Sequence, residues 1–132
     1  MRILLETDNA IVSYDEPKKA LVVSWTKPAE SEEFYLVYTS VLKGFKIFFA
    51  STLILDLKKF GKLGKNNLNY LTKHVLPMAA KCGMRKLVLI DVDLKEQQEI
   101  AASFSNFTAR FSGKIIVEEA RNFDEAFSRL VV

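Results

Sequence analysis

Two hydrophobic periods alternate along this chain. Short runs whose apolar residues are consecutive or take every second place read as strands. They are "RILLET", "AIVSYD" and "ALVVSW" near the start, then "STLILDL", "KLVLIDV" and "KIIVEEA". Between the later runs apolar residues recur at three- and four-residue spacing, which buries one face of a helix. The first such stripe is Phe34, Val37, Tyr38, Val41, Leu42, Phe45 and Phe48, with Ser31 as the expected N-cap and acids in the first turn. The second is Leu68, Leu71, Val75, Met78, Ala79 and Cys82, capped by Asn66 or Asn67 and stopped at Gly83. Pro77 lies inside it, and its missing N–H predicts a kink or a split. A third helix is expected from a cap at Asp93 to about Arg110, with Ile100, Ala101, Phe104 and Phe107 inward. Asn122 is placed to cap a short last helix, "FDEAFSRL".

The order is β-β-β-α-β-α-β-α-β-α. Strands that alternate with helices imply right-handed parallel crossovers, and the opening strands should pair antiparallel at one edge. The expected fold is α/β. It is one domain over residues 1–132, with a mixed sheet of five or six strands, a parallel β-α-β core, antiparallel N-terminal strands and helices packed on the sheet.

Composition narrows the class. A chain of 132 residues, 49% hydrophobic and 27% charged, suits one globular core. No apolar run approaches the roughly 20 residues that span a bilayer. "MRILLETDNA" has acids directly behind a short apolar run and does not read as a secretory signal. With one cysteine, Cys82, no internal disulfide forms, and a cytoplasmic location is expected.

Charge adds an asymmetry that the net value of +3 conceals. Residues 43–86 carry ten Lys and Arg against one acid, Asp56, and the flanks are acidic. Such a pattern fits an anionic partner or a solvated surface. Four of these lysines, Lys58, Lys59, Lys62 and Lys65, follow the strand that ends at Asp56, in a loop that also holds Gly61 and Gly64. Ligands of parallel α/β sheets bind at this carboxyl end. The loop enters a helix N-terminus, where free amides and the dipole favour an anion. Lys58, Lys59, Lys62, Lys65, Asn66 and Asn67 are therefore the candidate anion-binding residues. Asp56 and Asp91, with Asp93 nearby, are the strand-end carboxylates. The spacing is not that of a P-loop. The other cations, Lys43 and Lys46 at the end of the first helix and Lys81, Arg85 and Lys86 at the end of the second, fall at the opposite end of the sheet, where a helix dipole accounts for them. That division argues against one nucleic-acid-binding stripe.

The stretch "LILDLKKFGKLGKNNLNYL", residues 53–71, resembles the strand–loop–helix of STAS domains, the anti-sigma-factor antagonist family. Asp56 matches the strand-end aspartate, and Leu68 the leucine twelve positions on. "LPMAAKCGMRKLVLI" is similar to a branch of small bacterial proteins related to STAS and CRAL-TRIO lipid-transfer domains. The resemblance implies a STAS-like fold and a regulatory role without enzymatic activity. Antagonists are phosphorylated on a serine where this chain has Gly64, Lys65, Asn66 and Asn67, so the usual phosphorylation switch is not expected here.

Catalytic groupings are not legible. His74 has no Cys or His near it in sequence and is expected to pack or lie half-exposed. Cys82 falls on an inward stripe and is expected to be a buried, inert thiol. No Ser-His-Asp or Cys-His arrangement stands out, and no cofactor or metal is implied. The sequence therefore predicts a non-enzymatic regulatory or protein-interaction domain that forms a homodimer through its edge strands, with Trp25 or helix aromatics adding exposed apolar area. The alternative is a small binding module for an anionic ligand, phosphorylated or lipidic.

Overall fold

The computed structural model describes residues 1–90, 98–111 and 114–130. Six strands form one sheet in the order of the chain: β1 (Arg2–Glu6), β2 (Ala10–Asp15), β3 (Ala20–Trp25), β4 (Thr52–Asp56), β5 (Lys86–Ile90) and β6 (Ile116–Ala120). β1, β2 and β3 are antiparallel neighbours, and β3 to β6 run parallel. The α/β class, the mixed sheet and the antiparallel N-terminal edge are as the hydrophobic periods predict.

Strands that advance in one direction through right-handed crossovers put their connecting helices on one face. That face holds the larger core, with Leu21, Val23, Trp25, Leu53, Leu55, Leu87 and Leu89 beneath helix α1 (Ser31–Phe48), helix α2 (Lys65–Tyr70) and its continuation, and helix α4 (Gln98–Arg110). The short helix α5 (Phe123–Ser128) covers the other face, where Ala126 and Leu130 pack against Val22, Ile54 and Val88. Each central strand is thus buried on both sides, which is why β4 and β5 read as continuous apolar runs rather than alternations.

Local chemistry moves several boundaries. α1 begins at Ser31 itself and has no side-chain cap. The Ser31 hydroxyl is instead within hydrogen-bonding distance of Asn67 Oδ1, at 3.2 Å. α2 begins at Lys65 with Gly64 before it, so neither Asn66 nor Asn67 is the N-cap. Asn122 does cap α5, accepting from the Glu125 amide at 2.8 Å. The backbone stays helical through Pro77, and the irregularity expected there takes the form of a π-helical turn just before it. A π-helical turn, Leu71–Val75, separates α2 from helix α3 (Leu76–Lys81). Pro77 cannot donate to the preceding turn and crowds a carbonyl there, and the wider turn accommodates both defects. Phe104 and Phe107 point inward as expected. The expected cap Asp93 and the carboxylate Asp91 lie outside the described residues, and the side chains of Ile100 and Ala101 are likewise outside the description.

β1 is an edge strand, but it is not a flat one. Its register slips between Ile3 and Leu5, so Leu4 is an extra residue of a bulge. Arg2 pairs opposite Tyr14 and Glu6 opposite Ile11, which lie on opposite faces of the sheet. Bulges protect edges from pairing with another chain. Trp25, expected to add exposed apolar area, is fully buried. Cys82 is half-buried at the end of α3 rather than fully enclosed.

Candidate functional site

The lysine loop runs from β4 to α2 at the carboxyl end of the parallel strands. It is strapped to the core at every third residue, because Leu57, Phe60 and Leu63 are buried. Phe60 meets Trp25 edge-on, with ring centroids 4.9 Å apart, and also packs against Phe34. The positions between are forced outward, so Lys58, Lys59, Lys62 and Lys65 are all exposed. Gly61 and Gly64 both hold φ near +80°, and nothing crowds their α-carbons, so these turns need glycine for its backbone freedom alone.

The structure separates the two asparagines. Asn66 is exposed, whereas Asn67 is buried at 8% exposure. The Asn67 amide nitrogen donates to the Leu63 carbonyl at 3.1 Å, and its oxygen lies near the Ser31 hydroxyl. Asn67 therefore ties the loop to the start of α1 and turns away from any ligand above the lysines. Asp56 accepts from the Lys58 amide at 3.1 Å, closing the first turn of the loop. No side chain caps the first turn of α2, which contains no acid. What the sequence had not suggested is the strap itself. Its signal was present as the three-residue spacing of Leu57, Phe60 and Leu63 between the lysines.

The remaining candidates do not converge on this loop. His74 is exposed and stacks on Tyr70, with centroids 5.4 Å apart. Tyr70 lies in turn 4.3 Å from the Tyr35 ring. Among the described residues, no group of three or more His, Cys, Asp or Glu could hold a metal ion, and no buried side-chain nitrogen or oxygen lacks a hydrogen bond. Among the same residues, no helix is long and apolar enough to cross a membrane.

A second surface lies on α1. Its inner face fills the core, with Phe34, Val37, Tyr38, Val41 and Phe45 buried. Its outer flank leaves Leu36 at 53% and Ile47 at 66% exposure, with Ser40 and Lys43 between them. Eleven positions are roughly three helical turns, so Leu36 and Ile47 share one side of the helix. Glu33 and Gly44 border this flank. Glu33 accepts from Thr7 and Asn9 in the β1–β2 turn, and Gly44 lies against Leu4, so the flank adjoins the β1 edge. No protein-family model, no curated protein and no solved structure matches this chain.

Proposed function

We propose that this chain is a non-enzymatic regulatory domain that acts by protein contact, with a second copy of itself as one partner. The observation that carries the reading is the outer flank of α1. Two large aliphatic side chains stand in water on one side of a helix whose other side is a finished core. Leu36, Ser40, Lys43 and Ile47 follow the four-three-four spacing of a helix-pairing seam. The bulge in β1 argues against association along the sheet edge, so the proposed contact is helix-based. The resemblance drawn from residues 53–71 supports a regulatory role. With no hydroxyl from Gly64 to Asn67, the proposed regulation runs without the antagonists' phosphorylation switch. Sedimentation equilibrium tests this. Wild type should be dimeric at about tens of micromolar, a range in which interfaces of ordinary size hold. Leu36→Glu/Ile47→Glu should be monomeric and folded. A monomeric wild type overturns the self-association.

A second reading is favoured by the lysine loop. Four exposed lysines lie along the loop that enters a helix start carrying neither a side-chain cap nor an acid, which suits a small anionic ligand, phosphorylated or lipidic. Lys62→Ala/Lys65→Ala should weaken phosphate or nucleotide binding at low salt. Equal binding by both proteins, or by neither, removes this site.

A further inference from the structure

The opposite end of the sheet gathers a different set of residues. β3, β4, β5 and β6 all begin there, and a row of backbone hydrogen bonds joins the connections that precede them. The Ser51 amide donates to the Lys19 carbonyl at 2.9 Å, Arg85 to Ser51 at 2.8 Å, and Ile116 to Arg85 at 2.9 Å. The β2–β3 turn, the end of α1 and the connections before β5 and β6 therefore share one basal surface. It displays Lys19, Lys46, Lys81, Arg85 and Lys114, all exposed. None of the five makes an ion pair with a described residue. The described acids of these connections are Asp15 and Glu16 of the β2–β3 turn. On the other sheet face, Glu118 and Glu125 are already engaged by Lys86, Arg121 and Arg129.

Helix dipoles explain only part of this. Lys46 and Lys81 lie on last helical turns, where carbonyls attract them. Arg85 donates to the Met84 carbonyl at 2.9 Å and reaches the Ala80 carbonyl of the last turn of α3 at 3.5 Å, whereas Lys19 and Lys114 belong to connections beyond the helices. Lys81, Arg85 and Lys114 also line a hollow of about 550 Å³ whose remaining walls are Ala80, Phe111 and Ile115. Three cations around an apolar floor suit an anionic head with hydrocarbon beside it.

Phe49 projects from the same surface. It follows α1 with φ 54°, a left-handed backbone that glycine normally supplies, and the residue is 78% exposed. Both the backbone and the solvated ring count against Phe49 in the isolated fold. An apolar tooth among exposed lysines matches the interface of an anionic bilayer, which accepts a protruding ring without a shaped pocket. A nucleic acid would instead call for aromatic faces along a continuous groove.

We infer that the basal end, with Phe49 projecting from it, docks on anionic lipid headgroups, the ring entering the interface while Lys46, Lys81, Arg85 and Lys114 meet the phosphates. This surface is distinct from the Leu36–Ile47 flank. The test is co-sedimentation of the full chain with vesicles of phosphatidylglycerol mixed into phosphatidylcholine, and with phosphatidylcholine alone. Wild type should sediment only with the anionic vesicles and be released near 1 M salt, where the screening length falls to about 3 Å. Phe49→Gly suits the left-handed backbone and should stay folded while partitioning about tenfold less. Lys46→Gln/Arg85→Gln/Lys114→Gln should abolish sedimentation. Three results overturn the inference: no sedimentation of wild type, equal sedimentation with neutral vesicles, or full sedimentation of both variants. So do two others. Loss in Lys62→Ala/Lys65→Ala, with the basal variants unaffected, places the lipid at the lysine loop. A wild-type dimer that Phe49→Gly dissociates assigns the ring to a protein contact.

Discussion

The indole N–H of Trp25 donates to the phenol oxygen of Tyr38 across 3.2 Å, and both side chains are fully buried. Trp25 ends β3 and Tyr38 lies inside α1. Phe34 stacks on the indole at 5.7 Å, and Phe60 of the lysine loop meets it edge-on. One strand residue therefore joins the sheet, the longest helix and the candidate loop. Burial pushes the Tyr38 phenol far above its ordinary pKa, so it stays neutral throughout the physiological range.

Tyr38→Phe keeps the ring and deletes the acceptor, leaving a buried N–H unpaired. The expected loss is about 1–3 kcal/mol, read by urea unfolding. Trp25 should keep the emission of a buried indole. A loss under about 0.5 kcal/mol would show that the indole finds another acceptor, and that this bond does not join β3 to α1.

Gly44 of α1 packs against Leu21 of β3. A Cβ built there would lie 2.8 and 3.1 Å from the two methyl carbons of Leu21, which is fully buried. Alanine improves helix propensity by about 1 kcal/mol, while overpacking a filled core costs about 1–3 kcal/mol. Gly44→Ala should therefore be destabilising by about 1 kcal/mol. The double variant Gly44→Ala/Leu21→Val should be more stable than the two single losses predict, because removing one methylene makes room for the new methyl. Strict additivity would refute the contact.

Hydrophobic period made the strands and helices legible, since central strands buried on both faces leave apolar runs such as "LILDL" and "KLVLI". The irregularity next to Pro77 was legible because a missing N–H is a local property. Helix starts at Ser31 and Lys65 were not, because Ser31 and Asn67 find each other across 36 positions of sequence and so leave their local capping roles. The four loop lysines and Asn66 are exposed. The burial of Asn67 was not legible, because it depends on the strap of Leu57, Phe60 and Leu63. The basal surface was read as helix-end cations alone, because nothing local reveals that Lys19, Ser51, Arg85 and Ile116 form one row.

Acid should loosen α5 through a known pair. Glu125 accepts from Arg129 at 2.7 Å and from the Arg121 amide at 3.3 Å, and these bonds, Arg129 first, hold its carboxyl below the usual carboxylate range. A depressed folded pKa stabilises above the unfolded value of about 4.3. That stabilisation is lost as pH falls through the folded value. Wild type should lose more thermal stability on acidification below about pH 4.3 than Glu125→Gln does. Parallel pH profiles for the two proteins would show that the pair contributes nothing to folding.

Backbone strain at Phe49 can be separated from its exposed ring by two substitutions. Phe49→Ala removes the ring but leaves a Cβ in the left-handed region, where a non-glycine residue is disfavoured by roughly 1–2 kcal/mol. Phe49→Gly removes both. The Phe49 amide donates to the Phe45 carbonyl at 3.1 Å, closing the last turn of α1, and glycine keeps that bond in the same conformation. Glycine is also more flexible when unfolded, which offsets part of the gain. Phe49→Gly should therefore be more stable than Phe49→Ala by about 1 kcal/mol, and more stable than wild type. Denaturant unfolding without lipid measures both differences. Equal stability of the glycine and alanine variants would mean that α1 ends without strain, and the tooth would then rest on the exposure of its ring alone.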